Sequence, residues 1–294
     1  MNNIEDKIIN TLISDIGLIK SEIETSKKIN WIISNKLDNI NDLLLINMSM
    51  NWRLSSANPL SRCGMKAFSQ SDEDGITLEI VRRLGLVNGT FAEFGVGNGL
   101  ENNTLILANL GWKGFWIGGE VLAFDQLKAS RLKYIKNWIT LENINTLLHE
   151  GLKYLEVSSP NIVSLDLDGN DYHFIQSLLQ NGLTPDLFIC EYNAKFVPPL
   201  RFVMPYNPTH QWDGSDYYGA ALMNLCELFE KFNYRLICCN TQTGANAFFI
   251  KDIHHNLFSD IPDNIFQIYE PPKFFLLKKF GHKISPKTIE EMLS

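Results

Sequence analysis

The sequence predicts an α/β protein: a mostly parallel sheet covered on both faces, an antiparallel hairpin at the sheet edge, and a separate N-terminal helical segment. Three observations lead there. From about Phe68 onward, short continuous apolar runs alternate with helix-like stretches. The run ending Phe91-Ala92-Glu93-Phe94 is followed by Gly95, Gly97 and Gly99, spaced G-x-G-x-G. Residues 1–52 have one glycine, no proline, and apolar residues recurring at steps of three and four.

In that N-terminal segment, heptad position a holds Ile9, Ile16, Ile23, Asn30, Leu37 and Leu44, and position d holds Leu12, Ile19, Ser26, Ile33 and Ile40. A seam of this kind predicts a coiled coil through which copies of the chain associate into a homo-oligomer. The alternative is a pair of amphipathic helices, broken near Ser26 and packed on their own domain. Asn51 to Gly64 carries Ser-Ser-Ala-Asn-Pro and reads as a linker. The second domain then covers residues 60–294.

Ser71 is a candidate N-cap with acids in the turn that follows, ahead of a helix over 76–84. Strands are expected at Thr90–Phe94, Gly114–Gly118, Trp138–Leu141, Ile162–Leu167 and Leu187–Cys190. Helices are expected at Asn103–Leu110, Phe124–Lys136, Tyr172–Leu179 and Ala220–Phe232. Tyr234–Cys239 and Ala247–Ile250, joined by a short Asn/Thr/Gly turn, read as the edge hairpin.

Composition narrows the function. The net charge is -7 with no run of Lys or Arg, which argues against an extended nucleic-acid footprint. No apolar stretch has membrane-spanning length, and the acidic N-terminus lacks the apolar core of a signal peptide. Five cysteines without C-x-x-C spacing read as free thiols in a reducing cytoplasm.

The glycine turn lets the backbone approach a ligand closely. Its spacing differs from the G-x-G-x-x-G that cradles a pyrophosphate. Glu93, at the strand's end, repels phosphate and suits a positively charged α-amino group. Glu120, closing the next apolar run, suits ribose hydroxyls. An amino-acid end and a ribose end together point to S-adenosylmethionine.

At these residues the chain resembles the class I S-adenosylmethionine methyltransferases, more narrowly the FkbM-type enzymes found among surface-polysaccharide genes. Four stretches carry the resemblance: Ser69-Gln70-Ser71-Asp72-Glu73-Asp74-Gly75, Glu93-Phe94-Gly95-Val96-Gly97-Asn98-Gly99, Ser164-Leu165-Asp166-Leu167-Asp168-Gly169-Asn170-Asp171-Tyr172, and Ile189-Cys190-Glu191-Tyr192-Asn193. It spans roughly residues 68 to 250 and leaves out 1–52. It implies a Rossmann-like methyltransferase fold, and an O-methyltransferase acting on a sugar or nucleotide-sugar hydroxyl for a capsule or lipopolysaccharide. It also implies cofactor contacts from Gln70 and Asp74. Gly118-Gly119-Glu120 departs from the pattern, because the acid is expected directly after the strand. Alternatives are methylation of a phosphoramidate or an amine, and a non-catalytic scaffold for polysaccharide enzymes.

The reacting end lies beyond the carboxyl ends of the strands. Asp166 and Asp168 close the fourth strand; Glu191 and Asn193 close the fifth. Asp168, Glu191 and Asn193 are candidate oxygen ligands for Mg²⁺ or Mn²⁺. The other reading is that these acids cap helices and bind cofactor without a metal. Asp168-Gly169-Asn170-Asp171 is similar to the acid-Gly-Ser-His loop of metal-dependent macrolide-sugar methyltransferases, which implies Asp171 as general base, with His173 a nearby alternative. Pro198 to Gly219, long and aromatic, reads as a substrate lid. It contributes His210 as a third candidate base, and Arg201 with His210 as candidates for a sugar-nucleotide phosphate.

Overall fold

The computed structural model describes residues 2–125 and 131–273, together with 286, 289 and 290. The chain divides into two units, Met1–Met48 and Ser49–Ser294.

The first unit is most of one helix, α1 (Asn2–Ser55). It runs through Ser26 without a break, so the broken-pair alternative does not hold. No described helix is long and apolar enough to cross a membrane.

The second unit begins with the last turns of α1. Trp52 Nε1 donates to Glu270 at 3.0 Å, and the Lys273 ammonium sits 4.1 Å from the centre of the Trp52 ring. The segment expected to be a linker is ordered instead. Helix α1 continues to Ser55, and Pro59–Cys63 forms a 3₁₀ turn. Asn58 caps that turn by accepting from Leu60 N at 3.0 Å, while its amide donates to Ile237 O at 2.7 Å. Pro59 at the first turn position suits a helix start.

Next come α2 (Glu73–Leu84), β1 (Thr90–Phe94), α3 (Leu105–Asn109), β2 (Lys113–Gly118), β3 (Leu132–Lys136), α4 (Ile144–Leu155), β4 (Ile162–Leu165), α5 (Asp171–Gln180) and β5 (Leu187–Glu191). Then follow α6 (Leu222–Glu230), β6 (Tyr234–Cys239), β7 (Asn246–Lys251), a 3₁₀ turn at Asp252–Phe258 and α7 (Ile265–Ile268). The seven-stranded sheet runs β3-β2-β1-β4-β5-β7-β6. Its first five strands are parallel, and β7 pairs antiparallel with both β5 and β6. This is the expected fold class, Rossmann-like and mostly parallel with an antiparallel edge.

The central strands β1, β2, β4 and β5 are almost continuously buried, as their uninterrupted apolar runs require. Phe91, Phe94, Phe115, Trp116, Phe188, Phe248 and Phe249 are fully inaccessible.

Three expectations are corrected. The helix expected over Phe124–Lys136 is a strand from Leu132 on, and 126–130 lie outside the described residues. The strand expected at Trp138–Leu141 is irregular chain. Its backbone serves the start of α4, where Thr140 N donates to Asn143 Oδ1 at 2.8 Å. Helix α4 itself was not foreseen. It buries Ile144, Leu147, Leu148, Gly151 and Leu155, one helical face. A side chain at Gly151 would lie 2.5 Å from the Phe115 ring, so only glycine lets this helix pack on the sheet.

The start of α2 is tied to the β6–β7 turn by buried acids. The residue before the helix is Asp72 rather than Ser71. Its carboxylate accepts from Thr241 N at 3.1 Å and Gln242 N at 3.0 Å. Glu73 reaches back to Ser71 N at 2.8 Å and accepts from Asn246 Nδ2 at 3.2 Å. Asp72→Ala leaves two buried N–H groups without acceptors, and we expect it to lower stability by about 3 kcal/mol. Denaturant unfolding measures this; a loss under ~1 kcal/mol would mean the turn relaxes to water.

Candidate functional site

The strand order reverses between β1 and β4, and a crevice opens beyond their carboxyl ends. Gly95 sits there with φ +91, and its N–H donates to Ile117 O at 3.0 Å. A Cβ on Gly95 would fall 1.6 Å from the Asp166 carbonyl oxygen. Both the torsion and the contact demand glycine.

Two cavities meet in this crevice. One, of about 490 Å³, is bordered by Gly95, Gly97, Glu120, Trp138 and His210. The other, of about 710 Å³, is bordered by Gln70, Glu191, Asn193, Lys195 and Tyr218. Asp166, Asp168 and Trp212 form the wall they share.

The glycine turn divides its labour. Gly95 and Gly97 border the first cavity, and a Cβ on Gly97 would come 3.8 Å from the Glu120 carboxylate. Gly99 (φ +81) faces inward, where a Cβ would meet Leu122 and Phe124 at 2.8 and 2.9 Å. Its role is packing rather than ligand approach.

Glu93 also departs from expectation. Its carboxylate accepts from Asn103 N at 3.1 Å, Thr104 N at 3.0 Å and the Thr104 hydroxyl. Buried at 5% exposure, it holds the loop into α3 and does not border either cavity. Asp74 is likewise occupied, accepting from Ala67, Phe68 and Ser69 N–H groups at 2.7, 2.7 and 2.8 Å. Gln70, its neighbour, is exposed and borders the second cavity.

The candidate bases separate in the same way. Asp171 accepts from Leu167 N at 2.8 Å and Gly169 N at 2.9 Å, shaping the loop after β4 from beneath. Burial pushes its pKa up to about 6. His173 contacts Met204 O through Nε2 at 2.8 Å and borders neither cavity. His210 does border the first cavity. Its Nε2 lies 3.0 Å from the Asp168 carbonyl oxygen, which can only accept. The tautomer that donates there leaves the Nδ1 lone pair free. Arg201 is paired with Glu227 at 2.6 Å, away from both cavities.

Among the described residues, Asp166, Asp168 and Glu191 bring one carboxylate oxygen each within 4.8 Å of one another. Asp166 was not among the expected ligands, although its spacing of two from Asp168 was visible in the sequence. Asn193, which was, is engaged elsewhere: its amide donates to Asp216 O and Tyr218 O at 2.9 Å each, and its Oδ1 accepts from Lys195 N at 3.2 Å. It fastens residues 216–218 to the end of β5. Asp168 adopts φ +53, a left-handed conformation that carries its carboxyl into the crevice wall.

These three acids are clamped less than Glu93, Asp74 and Asp171: Asp166 takes a backbone hydrogen bond from Asp168 and shares a side-chain hydrogen bond with Glu191. One Glu191 oxygen is buried with no hydrogen-bond partner. Burial first, then Asp171 and Asp168 nearby, push Asp166 up to about 8. Burial and Asp166 hold Glu191 well above the usual carboxylate range. Burial also raises Asp168, opposed by His210. An unpartnered carboxylate oxygen among three converging acids fits a hard divalent cation bound through oxygen.

No family model matches the chain, and no curated protein does. Among solved structures, the glycopeptide N-methyltransferase MtfA is similar over 64% of this chain and 93% of its own, at 14% identity and TM-score 0.33. Its complex with sinefungin is similar over 63% and 87%, at 12% identity and TM-score 0.33. The MycE methyltransferase from the mycinamycin biosynthetic pathway, in complex with Mg, SAH and mycinamycin VI, is similar over 60% of this chain and 45% of its own, at 12% identity and TM-score 0.31. At these values the likeness carries no conclusion about function.

The acid cluster predicts a pH dependence. With folded pKa values raised above the unfolded carboxylate range, the metal-free native state binds more protons than the unfolded chain between about pH 4 and 8. Its stability therefore rises as pH falls through 8. Asp166→Asn should remove about one proton's worth of that slope, and Mg²⁺ or Mn²⁺ should raise the melting temperature more at pH 8 than at pH 6. Thermal melts with EDTA or either metal measure both. An unchanged slope in Asp166→Asn would show that Asp166 titrates normally.

Proposed function

We propose that the chain is a cytoplasmic S-adenosylmethionine-dependent O-methyltransferase acting on a hydroxyl of a sugar or nucleotide-linked sugar, assisted by a divalent metal. The observation that carries this reading is the carboxylate wall, Asp166 and Asp168, shared by two cavities. One of these cavities holds the glycine turn and Glu120; the other holds Glu191. Five unpaired cysteines accord with a reducing compartment.

S-adenosylmethionine supplies a methyl group on a sulfonium, already a good leaving group. Gly95 and Gly97 would admit it close to the backbone, and Glu120 would accept from its ribose hydroxyls. Asp166, Asp168 and Glu191 would hold the metal, which would supply Lewis acidity to lower the pKa of an acceptor hydroxyl. The acceptor lies in the second cavity, against Gln70, Lys195 and Tyr218, with Trp212 at the junction of the two cavities. His210 takes the hydroxyl proton on Nδ1, held in the right tautomer by the Asp168 carbonyl. Asp171 and His173 are positioning residues. Asp171 shapes the 167–169 loop, and His173 ties the loop's helix to the lid at Met204. Orientation does most of the remaining work, because in-line transfer needs little else from the protein.

The N-terminal helix, on this reading, joins copies of the chain. A sugar acceptor destined for a capsule or lipopolysaccharide agrees with the carboxylate- and aromatic-lined second cavity.

Calorimetric titration with S-adenosylhomocysteine should give micromolar binding, and Glu120→Ala should weaken it roughly tenfold. EDTA should abolish methyl transfer to sugar acceptors while leaving that binding intact. Absence of binding under any condition would overturn the methyltransferase reading.

A further inference from the structure

The face of α1 that carries the heptads is open to water. Ile9, Leu12, Ile16, Ile19, Ile23, Ile33, Leu37, Ile40 and Leu44 are each between 49% and 60% exposed. Over its 54 residues the helix spans about 80 Å. An isolated helix does not keep so long an apolar stripe in water, because its stability comes from packing that stripe against a partner.

The residues flanking the seam identify that partner and its direction. With Ile9 at a, position g holds Ile8, Asp15, Glu22, Ile29 and Lys36, and position e holds Ile13, Lys20, Lys27, Ser34 and Asn41. In a parallel, in-register pair of such helices, each g residue faces the e residue five positions on in the other copy. Asp15 then meets Lys20, Glu22 meets Lys27, and Ile8 meets Ile13. Every charged contact in this set is between opposite signs. Asn30 at a meets Asn30 of the second copy, and each amide has a partner.

The antiparallel pairing with the same overlap is worse on two counts. It sets each a position against a d position, so Asn30 faces Ile19 and a buried amide loses its partner. It also sets Lys20 against Lys27. Its gain is one contact of opposite sign, Asp15 with Lys36. None of Asp15, Lys20, Glu22 or Lys27 takes part in an ion pair within its own helix among the described residues, so these charges are free to set the alignment.

We infer that α1 is a self-recognition element that binds a second copy of this chain in parallel and in register, the direction set by Asn30 and by the Asp15–Lys20 and Glu22–Lys27 contacts. This rests on the self-association reading above and is independent of the chemistry of the cavities. A consequence follows from connectivity. The chain leaves the coil at Met48 at the same end in both copies.

The test uses the full chain. Sedimentation equilibrium should give a mass of twice 33.6 kDa. Leu12→Cys should form an intermolecular disulfide under mild oxidation, which the parent chain with its five native cysteines should not. In the antiparallel arrangement the two position-12 sulfurs would lie roughly 38 Å apart and could not join. Lys20→Glu with Lys27→Glu should weaken association roughly tenfold at low salt, and adding Asp15→Lys with Glu22→Lys should restore it. A monomer would overturn self-association and direction together. An oligomer that neither crosslinks at position 12 nor responds to the charge exchange would overturn the parallel register alone. Retained binding of S-adenosylhomocysteine by the charge variants shows that the folded body is intact.

Discussion

The contact between Gly95 and the Asp166 carbonyl oxygen governs the geometry of this protein. Strands β1 and β4 are neighbours, and the chain leaves them in opposite senses around the sheet. The gap between those departures becomes a binding crevice only if the two backbones come close at the carboxyl ends. A Cβ at 1.6 Å from that oxygen would force them apart. Because they do approach, the glycine turn, the Asp166–Asp168 loop and the end of β5 lie around one opening. The two cavities share a wall for the same reason.

Acidic side chains do two kinds of work here, and backbone donors tell them apart. Asp72, Asp74, Glu93 and Asp171 each accept two or more backbone N–H bonds, and each fixes a loop that packing alone would leave loose. Those donors offset the burial only in part, since burial still raises all four carboxyls, Asp72 and Asp171 to about 6. Glu191 has no such donors, and it faces Asp166 and Asp168 at close range. Charge gathered without compensation raises proton affinity, as it does for Asp166 and Glu191, or invites a cation. The 198–219 segment is tied to this region at several points. Asn170 bonds Asn207 in both directions at 2.7 and 3.1 Å, and His173, His210 and Asn193 add further links.

The sequence by itself determined the fold class, most of the strands and the place of the crevice. Short apolar runs bounded by turn residues favour strands, and β1 and β6 begin and end where those runs do. Heptad spacing likewise determined that the N-terminal segment is helical, because that period has no strand equivalent. Strand β3 was not legible, since an edge strand is half wet and its Leu-Lys-Tyr-Ile-Lys pattern reads equally as the end of a helix. Only the tertiary structure decided which acids are free. Glu93 and Asp166 both end strands, and nothing in the linear chain says that one is clamped by the amides of 103 and 104 while the other faces Glu191 across the gap between β4 and β5. The difference arises from donors and neighbours distant in sequence, which local spacing does not encode.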